Sequence, residues 1–344
     1  MKMTQRTGIV TPMMHFIVSI GIAGVIWMGS YLIVNKEITP GNFVSFLTAL
    51  IMLYTPIKGL GNNYNAVLMA FMAMERVWGL LDSIPALVNK PDAIQLTEIK
   101  SGIEYRDVSF EYSQDKPVLK NVNLTVAVGQ TIALVGNSGG GKSTFANLLP
   151  RFYDVTSGAI LIDGVDIRDF DLESLRSKVA VVFQDNFLFA GTIRDNIRVA
   201  RSSATDDEVA ESLARIGALE RFAEFPDGLD TEVRERGSRL SAGERQLISL
   251  ARAALVDPAV LVLDEATSNL DPGTEVVVER ALESLMTGRT VIVVAHRLST
   301  VRRADRIAVV DHAKLVELGT HDELVALGGR YAALSAAWER SQPT

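Results

Sequence analysis

Nine residues constrain this chain more than any other stretch. Gly136 to Thr144 read GNSGGGKST and follow the apolar run Ile132-Ala-Leu-Val135. The spacing is GxxxxGK[ST], with a strand-like run before it and a helix-like run, FANLLPRF, after it. Glycines at this density let backbone N–H groups converge on an oxyanion, since no side chain intervenes. A helix opening at the end of the loop adds roughly half a positive charge at its N-terminus. Gly136, Asn137, Ser138, Gly139, Gly140, Gly141, Lys142, Ser143 and Thr144 are therefore the expected phosphate cradle (a Walker A loop). Lys142 is expected to bridge the β- and γ-phosphates of ATP, and Ser143 to ligate Mg²⁺. Taken alone the pattern also fits a glycine-rich turn without a ligand; the flanking strand and helix favour the phosphate loop.

A second apolar run, Ala259 to Glu265 (AVLVLDE), ends in two carboxylates. A strand of this kind aims both groups at the phosphate end of a sheet. Asp264 is expected to act through water on Mg²⁺. Glu265 is expected to polarise the attacking water, a role typically contributing about 10²–10⁴-fold in rate. A further strand, VIVVA, delivers His296 within reach of the γ-phosphate and that water. Without the loop, the two carboxylates would read as an acidic surface turn and the histidine as structural. The runs VAVVF, AVLVLD and VIVVA alternate with helical stretches, the pattern of a parallel sheet covered on both faces.

The first ninety residues are of another kind. A mean hydropathy of +0.20 with 22% charged residues is high for a wholly water-soluble chain, and its source is clustered there. Pro12 to Val34 is apolar and long enough to cross a bilayer, which takes about 20 helical residues. A polar break, Asn35 to Asn42, holds Pro40 and Gly41. A second run, Phe43 to Leu60, carries Ser45, Thr48, Tyr54, Thr55 and Pro56, which suit a span facing a cavity or other helices. Lys2 and Arg6 precede the first span and Lys58 and Arg76 follow the second, so both ends are expected in the cytoplasm. An amphipathic helix follows from Asn62, and Pro85 and Pro91 end helical order. The expected organisation is a transmembrane segment over 1–82 (spans about 12–34 and 43–60), a linker over 83–101, a nucleotide-binding domain over 102–338 and a tail over 339–344. A net charge of −7 and a pI near 5.3 argue against a nucleic-acid partner. The chain has no cysteine, which excludes disulfides and thiolate chemistry.

Between the two acid-bearing elements sits LSAGERQ, Leu240 to Gln246, followed by the helix-like LISLARAAL. The glycine-rich loop, this segment, the paired carboxylates and the downstream histidine, in that order, resemble the ABC ATPase family over residues 102 to about 338. The resemblance implies an α/β P-loop NTPase: a RecA-like parallel sheet core with an antiparallel β part and an α-helical subdomain, here preceded by an all-α membrane segment with two transmembrane helices. It implies that Tyr112 stacks on adenine, that Val118 flanks the nucleotide, and that Gln184 is the Q-loop residue serving Mg²⁺ and catalysis. Ser268-Asn-Leu-Asp271 matches the D-loop, with Asp271 at the nucleotide, and Thr231 to Gly237 (TEVRERG) matches a loop characteristic of exporters.

In that family two nucleotide domains meet head to tail around two ATPs. Ser241 and Gly243 would then bind the γ-phosphate held by the partner's loop, so a second half-transporter, identical or different, is the implied partner. One departure stands out: where the family usually has LSGGQ, Ala242 replaces a glycine and Glu244 the glutamine. Alanine suits the position unless positive φ is needed, and a glutamate pointing inward would repel phosphate. The two spans, TPIKGLGNNY and the helix ending MERVWGLLD are similar to the C-terminal half of type IV exporters, lipid A flippases above all. This implies a multi-pass subunit of the inner membrane with its nucleotide domain in the cytoplasm, in contact with membrane lipid and exporting a lipid or amphipathic cargo. Such a half-transporter has six spans, so the chain reads as a truncated or internally initiated piece that binds ATP without transporting. The alternatives are a soluble ABC ATPase of DNA repair or translation, and a membrane-anchored remnant.

Overall fold

The computed structural model describes residues 2–83, 85, 87–183, 186–234, 237–264, 272–295 and 298–341. The chain divides into two compact units, Met1–Pro85 and Ala86–Thr344.

The first unit is a pair of helices, α1 (Lys2–Val34) and α2 (Pro40–Leu81). Thr39 caps α2, its hydroxyl accepting from the Asn42 N–H, and Pro40 at the first helical position has φ preset for the turn. Gly29 of α1 lies against the ring of Phe43: an added Cβ would stand 2.0 Å from a ring carbon, so only glycine admits this approach. Within α1, His15–Val34 has a mean hydropathy of 2.1 and is almost wholly exposed. Among the described residues it is the one helix segment long and apolar enough to cross a bilayer, while the apolar part of α2 covers Pro40–Leu53. The second span and the amphipathic helix expected after it form one continuous helix that carries Pro56 inside it. At 1.5 Å per residue α2 extends about 63 Å, roughly twice the hydrocarbon thickness of a bilayer.

The second unit starts with a strapped segment. Asp163 accepts backbone N–H groups from Lys100 and Ser101, each at 2.7 Å, and from Gly102 at 3.0 Å. The Leu96 N–H donates to Ser174 Oγ, and Leu96 and Ile99 are buried. The stretch 87–101, expected to be a linker, is thus tied to the domain that follows.

An antiparallel sheet comes next, built from β1 (Gly102–Glu111) and β2 (Pro117–Ala127). The first strand of the central sheet is β3 (Thr131–Val135), which leads into α3 (Lys142–Leu148). The chain then returns to the first sheet with β4 (Ser157–Ile162) and β5 (Val165–Asp166), giving the order β2-β1-β4-β5. After α4 (Leu172–Lys178) and β6 (Val179–Val182) a small ribbon of β7 (Gly191–Thr192) and β8 (Glu232–Val233) encloses the helices α5 (Ile193–Arg198), α6 (Asp206–Arg215) and α7 (Leu219–Ala223). The long helix α8 (Ala242–Val256) completes this lobe. The chain then forms β9 (Val260–Asp264), α9 (Pro272–Met286), β10 (Thr290–Val294), α10 (Leu298–Arg302), β11 (Arg306–Asp311), β12 (Lys314–Gly319), α11 (His321–Leu327) and α12 (Arg330–Ser341).

The central sheet runs β12-β11-β3-β10-β9-β6, parallel except for the edge pair β11–β12. Its strands read as continuous apolar runs because both faces are covered. Ala133, Val135, Leu261, Leu263, Val291 and Val293 point into a core shared with the helical lobe. The alternate residues Ile132, Leu134, Val260, Val262, Ile292 and Val294 point into a core shared with the antiparallel sheet and α3. The period of two in a strand therefore divides one sheet between two hydrophobic clusters. In the helical lobe, Thr192 with Asp195, Thr205 with Glu208 and Ser241 with Glu244 each form a reciprocal capping box that marks where a helix begins.

Candidate nucleotide-binding site

The glycine-rich loop leaves the C-terminal end of β3 and runs into α3. Its geometry admits no side chain at two places. Gly136 has φ +142, and a Cβ there would lie 2.0 Å from the Val310 carbonyl oxygen. Gly141 has φ +100, and its Cβ would lie 2.6 Å from the Val118 oxygen. The Gly140 N–H closes a turn onto the Asn137 oxygen at 3.1 Å. No side chain caps α3 at Gly141, so its first N–H groups stay directed at the loop. Lys142 is buried, with Nζ donating to the Gly136 and Asn137 oxygens at 2.9 and 3.0 Å. Asn137, Ser138, Gly139 and Ser143 are exposed, whereas Thr144 is buried behind them. A cradle of bare backbone with one ammonium across its mouth suits a phosphate chain.

Two strand ends from the antiparallel sheet close on this loop. Tyr112 follows β1 directly; its hydroxyl lies 3.1 Å from Thr144 Oγ1 while the ring stays 53% exposed. Phe110 and Tyr153 meet that ring edge-on, at 4.8 and 5.1 Å between centroids. Val118, near the start of β2, brings its oxygen against Gly141 and is half-buried. Tyr105 of β1 was not singled out by the sequence. It is fully buried and stacks on Phe145 of α3 at 4.0 Å, and burial pushes its phenol well above the usual range. Its inward place in the alternation of β1 is the signal that marks it.

Asp264 ends β9. In register it is level with Val294 of β10, which is level with Leu134 of β3, two residues before Gly136. Two strand spacings, about 10 Å, separate its backbone from that of β3 at the same edge of the sheet. The expected catalytic residues Glu265 and His296, together with Gln184 and Asp271, lie outside the described residues.

The segment LSAGERQ forms the cap and first turns of α8. Ser241 is the exposed N-cap, and its hydroxyl accepts from the Glu244 N–H at 3.2 Å. Ala242 is the first helical residue and has no positive φ, so alanine in place of glycine costs nothing there. Gly243 is buried. Glu244 completes the capping box: Oε2 reaches back to accept the Ser241 N–H at 2.8 Å, and Oε1 accepts Arg221 Nη2 at 3.0 Å. Arg221 escaped the sequence reading, since nothing local connects α7 with a residue 23 positions on. Arg252, further along α8, donates to the Asn196 oxygen at 2.7 Å, to the Phe187 oxygen at 2.8 Å and to Asn196 Oδ1 at 3.0 Å.

Among the described residues no group of three or more acidic or histidine side chains could hold a metal ion by itself. The hard oxygens of Ser143 and Asp264 at one sheet edge do fit Mg²⁺ that is carried chiefly by a nucleotide's phosphates, the usual way this ion is bound.

A phosphate loop at the end of a parallel strand, flanked by an antiparallel sheet and a helical lobe, defines a P-loop nucleotide-binding domain. Residues 119–268 match the family described as ABC transporter. The chain is 47% identical over 334 residues to the uncharacterized ABC transporter ATP-binding protein YknV of Bacillus subtilis, covering 97% of this chain and 55% of that protein. It is 46% identical over 331 residues to an ATP-dependent lipid A-core flippase of Syntrophus aciditrophicus, covering 96% of this chain and 55% of the flippase. A solved bacterial Atm1-family ABC exporter with ATP bound superposes at a TM-score of 0.76 with 37% identity, over 88% of this chain and 53% of that one. The chain belongs to the ABC transporter family, and its nucleotide domain is an ABC ATPase. It spans about half the length of the curated relatives it matches.

Proposed function

We propose that this chain is the ATP-binding and ATP-hydrolysing part of an exporter half-transporter, which pairs through ATP with a second half-transporter, identical or different. The observation that supports it best is the pairing of two surfaces on one domain. The Lys142 loop offers a phosphate cradle, and the exposed Ser241 cap of α8 offers a helix N-terminus with a hydroxyl. A head-to-tail dimer brings the cap of one copy onto the γ-phosphate held by the loop of the other.

In that arrangement Tyr112 stacks on the adenine beside Val118. The N–H groups of residues 136–144 and Lys142 hold the phosphates, and Ser241 and Gly243 of the second copy cap the γ-phosphate, with Asp271 at the seam. Mg²⁺, held by Ser143, Gln184 and Asp264 together with the phosphates, would neutralise charge developing on the γ-phosphoryl group. Glu265 takes a proton from the attacking water, which His296 orients. The His15–Val34 helix and the first part of α2 serve as two spans, with the nucleotide domain on the cytoplasmic side of the inner membrane. A lipid or other amphipathic molecule is the cargo class, in line with the flippase among the relatives.

The test is ATP hydrolysis by the purified chain in detergent or nanodiscs, with and without Mg²⁺, beside the Glu265→Gln variant. The proposal predicts Mg²⁺-dependent turnover that falls at least about 100-fold in the variant, and recovery of the chain with the membrane fraction. Unchanged turnover in the variant refutes the assignment of the base, and recovery in the soluble fraction refutes the exporter reading.

A further inference from the structure

Glu244 occupies a position where a negative charge should harm the site. It is the third residue of α8, one past Gly243, beside the N-terminus proposed above to cap the partner copy's γ-phosphate. Two anions at one helix end repel each other, and the low dielectric of a closed interface strengthens that repulsion. The structure holds a specific answer. Glu244 is 7% exposed, and each of its carboxylate oxygens accepts a hydrogen bond. One oxygen is fixed by the Ser241 N–H and the other by the Arg221 guanidinium, which reaches over from α7. Arg221 is half-exposed, so it is not required to fill the core, and among the described residues its other acidic contact is Glu224, at 4.0 Å.

We propose that Arg221 is a positioning residue of the composite ATP site: it pairs with Glu244 and neutralises the carboxylate held at the cap, so that the α8 N-terminus can receive the partner's γ-phosphate. The proposal rests on the head-to-tail reading above. It commits the helical lobe to a role that the signature segment alone does not carry, because the compensating charge lies 23 residues upstream.

The experiment is a double-mutant cycle on the full 344-residue chain in detergent, using Arg221→Ala, Glu244→Gln and both together. Three readouts are taken: KM for ATP, kcat, and ATP-driven dimerisation by sedimentation. In the parent background Arg221→Ala should raise KM and weaken dimerisation about tenfold, with kcat changed much less, because the repulsion opposes assembly. In the Glu244→Gln background, where glutamine keeps the cap but carries no charge, the same change should cost less than about twofold. Arg221→Lys should recover most of the loss, and 0.5 M salt should shrink the Arg221→Ala defect. An equal loss in both backgrounds overturns the proposal, since it would mark Arg221 as a packing residue of α7. The head-to-tail reading fails separately, and takes this proposal with it, if the parent chain shows no ATP-driven dimer and a rate first order in chain concentration.

Discussion

The Tyr112 hydroxyl lies 3.1 Å from Thr144 Oγ1, which ties the end of β1 to the first turn of the phosphate-loop helix. The residue that follows β1 and a residue of α3 thus meet across 32 positions of sequence. The contact fixes where the exposed face of the Tyr112 ring stands relative to the cradle, and Tyr153 holds the ring from its edge.

Removing the ring separates its two roles. Tyr112→Ala should weaken ATP binding by roughly 5- to 150-fold, since stacking of an aromatic on a base contributes about 1–3 kcal/mol. Tyr112→Phe keeps the face and loses only the contact with Thr144, so its affinity should stay within about threefold of the parent. Titration with a fluorescent ATP analogue reads both, and equal losses in the two variants would contradict a stacking role.

Gly141→Ala tests the cradle itself. A non-glycine residue at φ +100 carries backbone strain of roughly 1–3 kcal/mol, and the new Cβ would meet the Val118 oxygen at 2.6 Å. The domain should lose about 3–8 °C in Tm, and ATP affinity should fall tenfold or more as the loop shifts. Gly139→Ala is the control. Its φ of +77 is also positive but its Cβ meets open space, so the thermal loss should be smaller.

Arg252→Ala should destabilise the helical lobe without touching the phosphate loop. Its guanidinium joins α8 to Phe187 and Asn196 through three hydrogen bonds, and burial lowers its pKa. Loss of these charge-assisted bonds should cost about 2–3 kcal/mol. The expected signature is faster amide hydrogen exchange over α5 and α8, with protection of β3 and β10 retained.

The strap at Asp163 makes a pH prediction. Partial burial pushes its carboxyl up, but hydrogen bonds from the Lys100, Gly102 and Ser101 N–H groups and the Lys100 charge outweigh this and hold it below the usual carboxylate range. A depressed folded-state pKa contributes stability that is complete above the unfolded value, about 3.9, and is lost as pH falls through the folded value. Asp163→Asn should therefore be less stable than the parent at pH 7. The gap should narrow below about pH 4. Urea midpoints at pH 7 and pH 3 would show it, and a gap independent of pH would assign the strap to something other than the charge.

Much of the nucleotide domain was legible because its signals are local. The loop needs glycine where φ is positive, and the strands need unbroken apolar runs. Each requirement is met within a few residues, so the sequence displays it. Helix α1 was legible for the same reason, since hydropathy over 20 residues needs no partner. Apolar patterning was less informative in α2, where polar and apolar residues mix around Pro56 and the second apolar run and the amphipathic stretch after it form one helix.

By itself, then, the sequence determined the glycine-rich pattern of the cradle, the apolar runs of the central strands and one long apolar helix. Only the tertiary structure decided which distant groups meet. It set Tyr112 against Thr144, strapped 100–102 to Asp163, and gave the unexpected Glu244 a counter-charge in Arg221. The reason is physical. A dihedral or a hydrogen-bond period belongs to neighbouring residues, whereas the charge that balances a buried carboxylate is supplied by whatever the packing of two helices brings within about 3 Å.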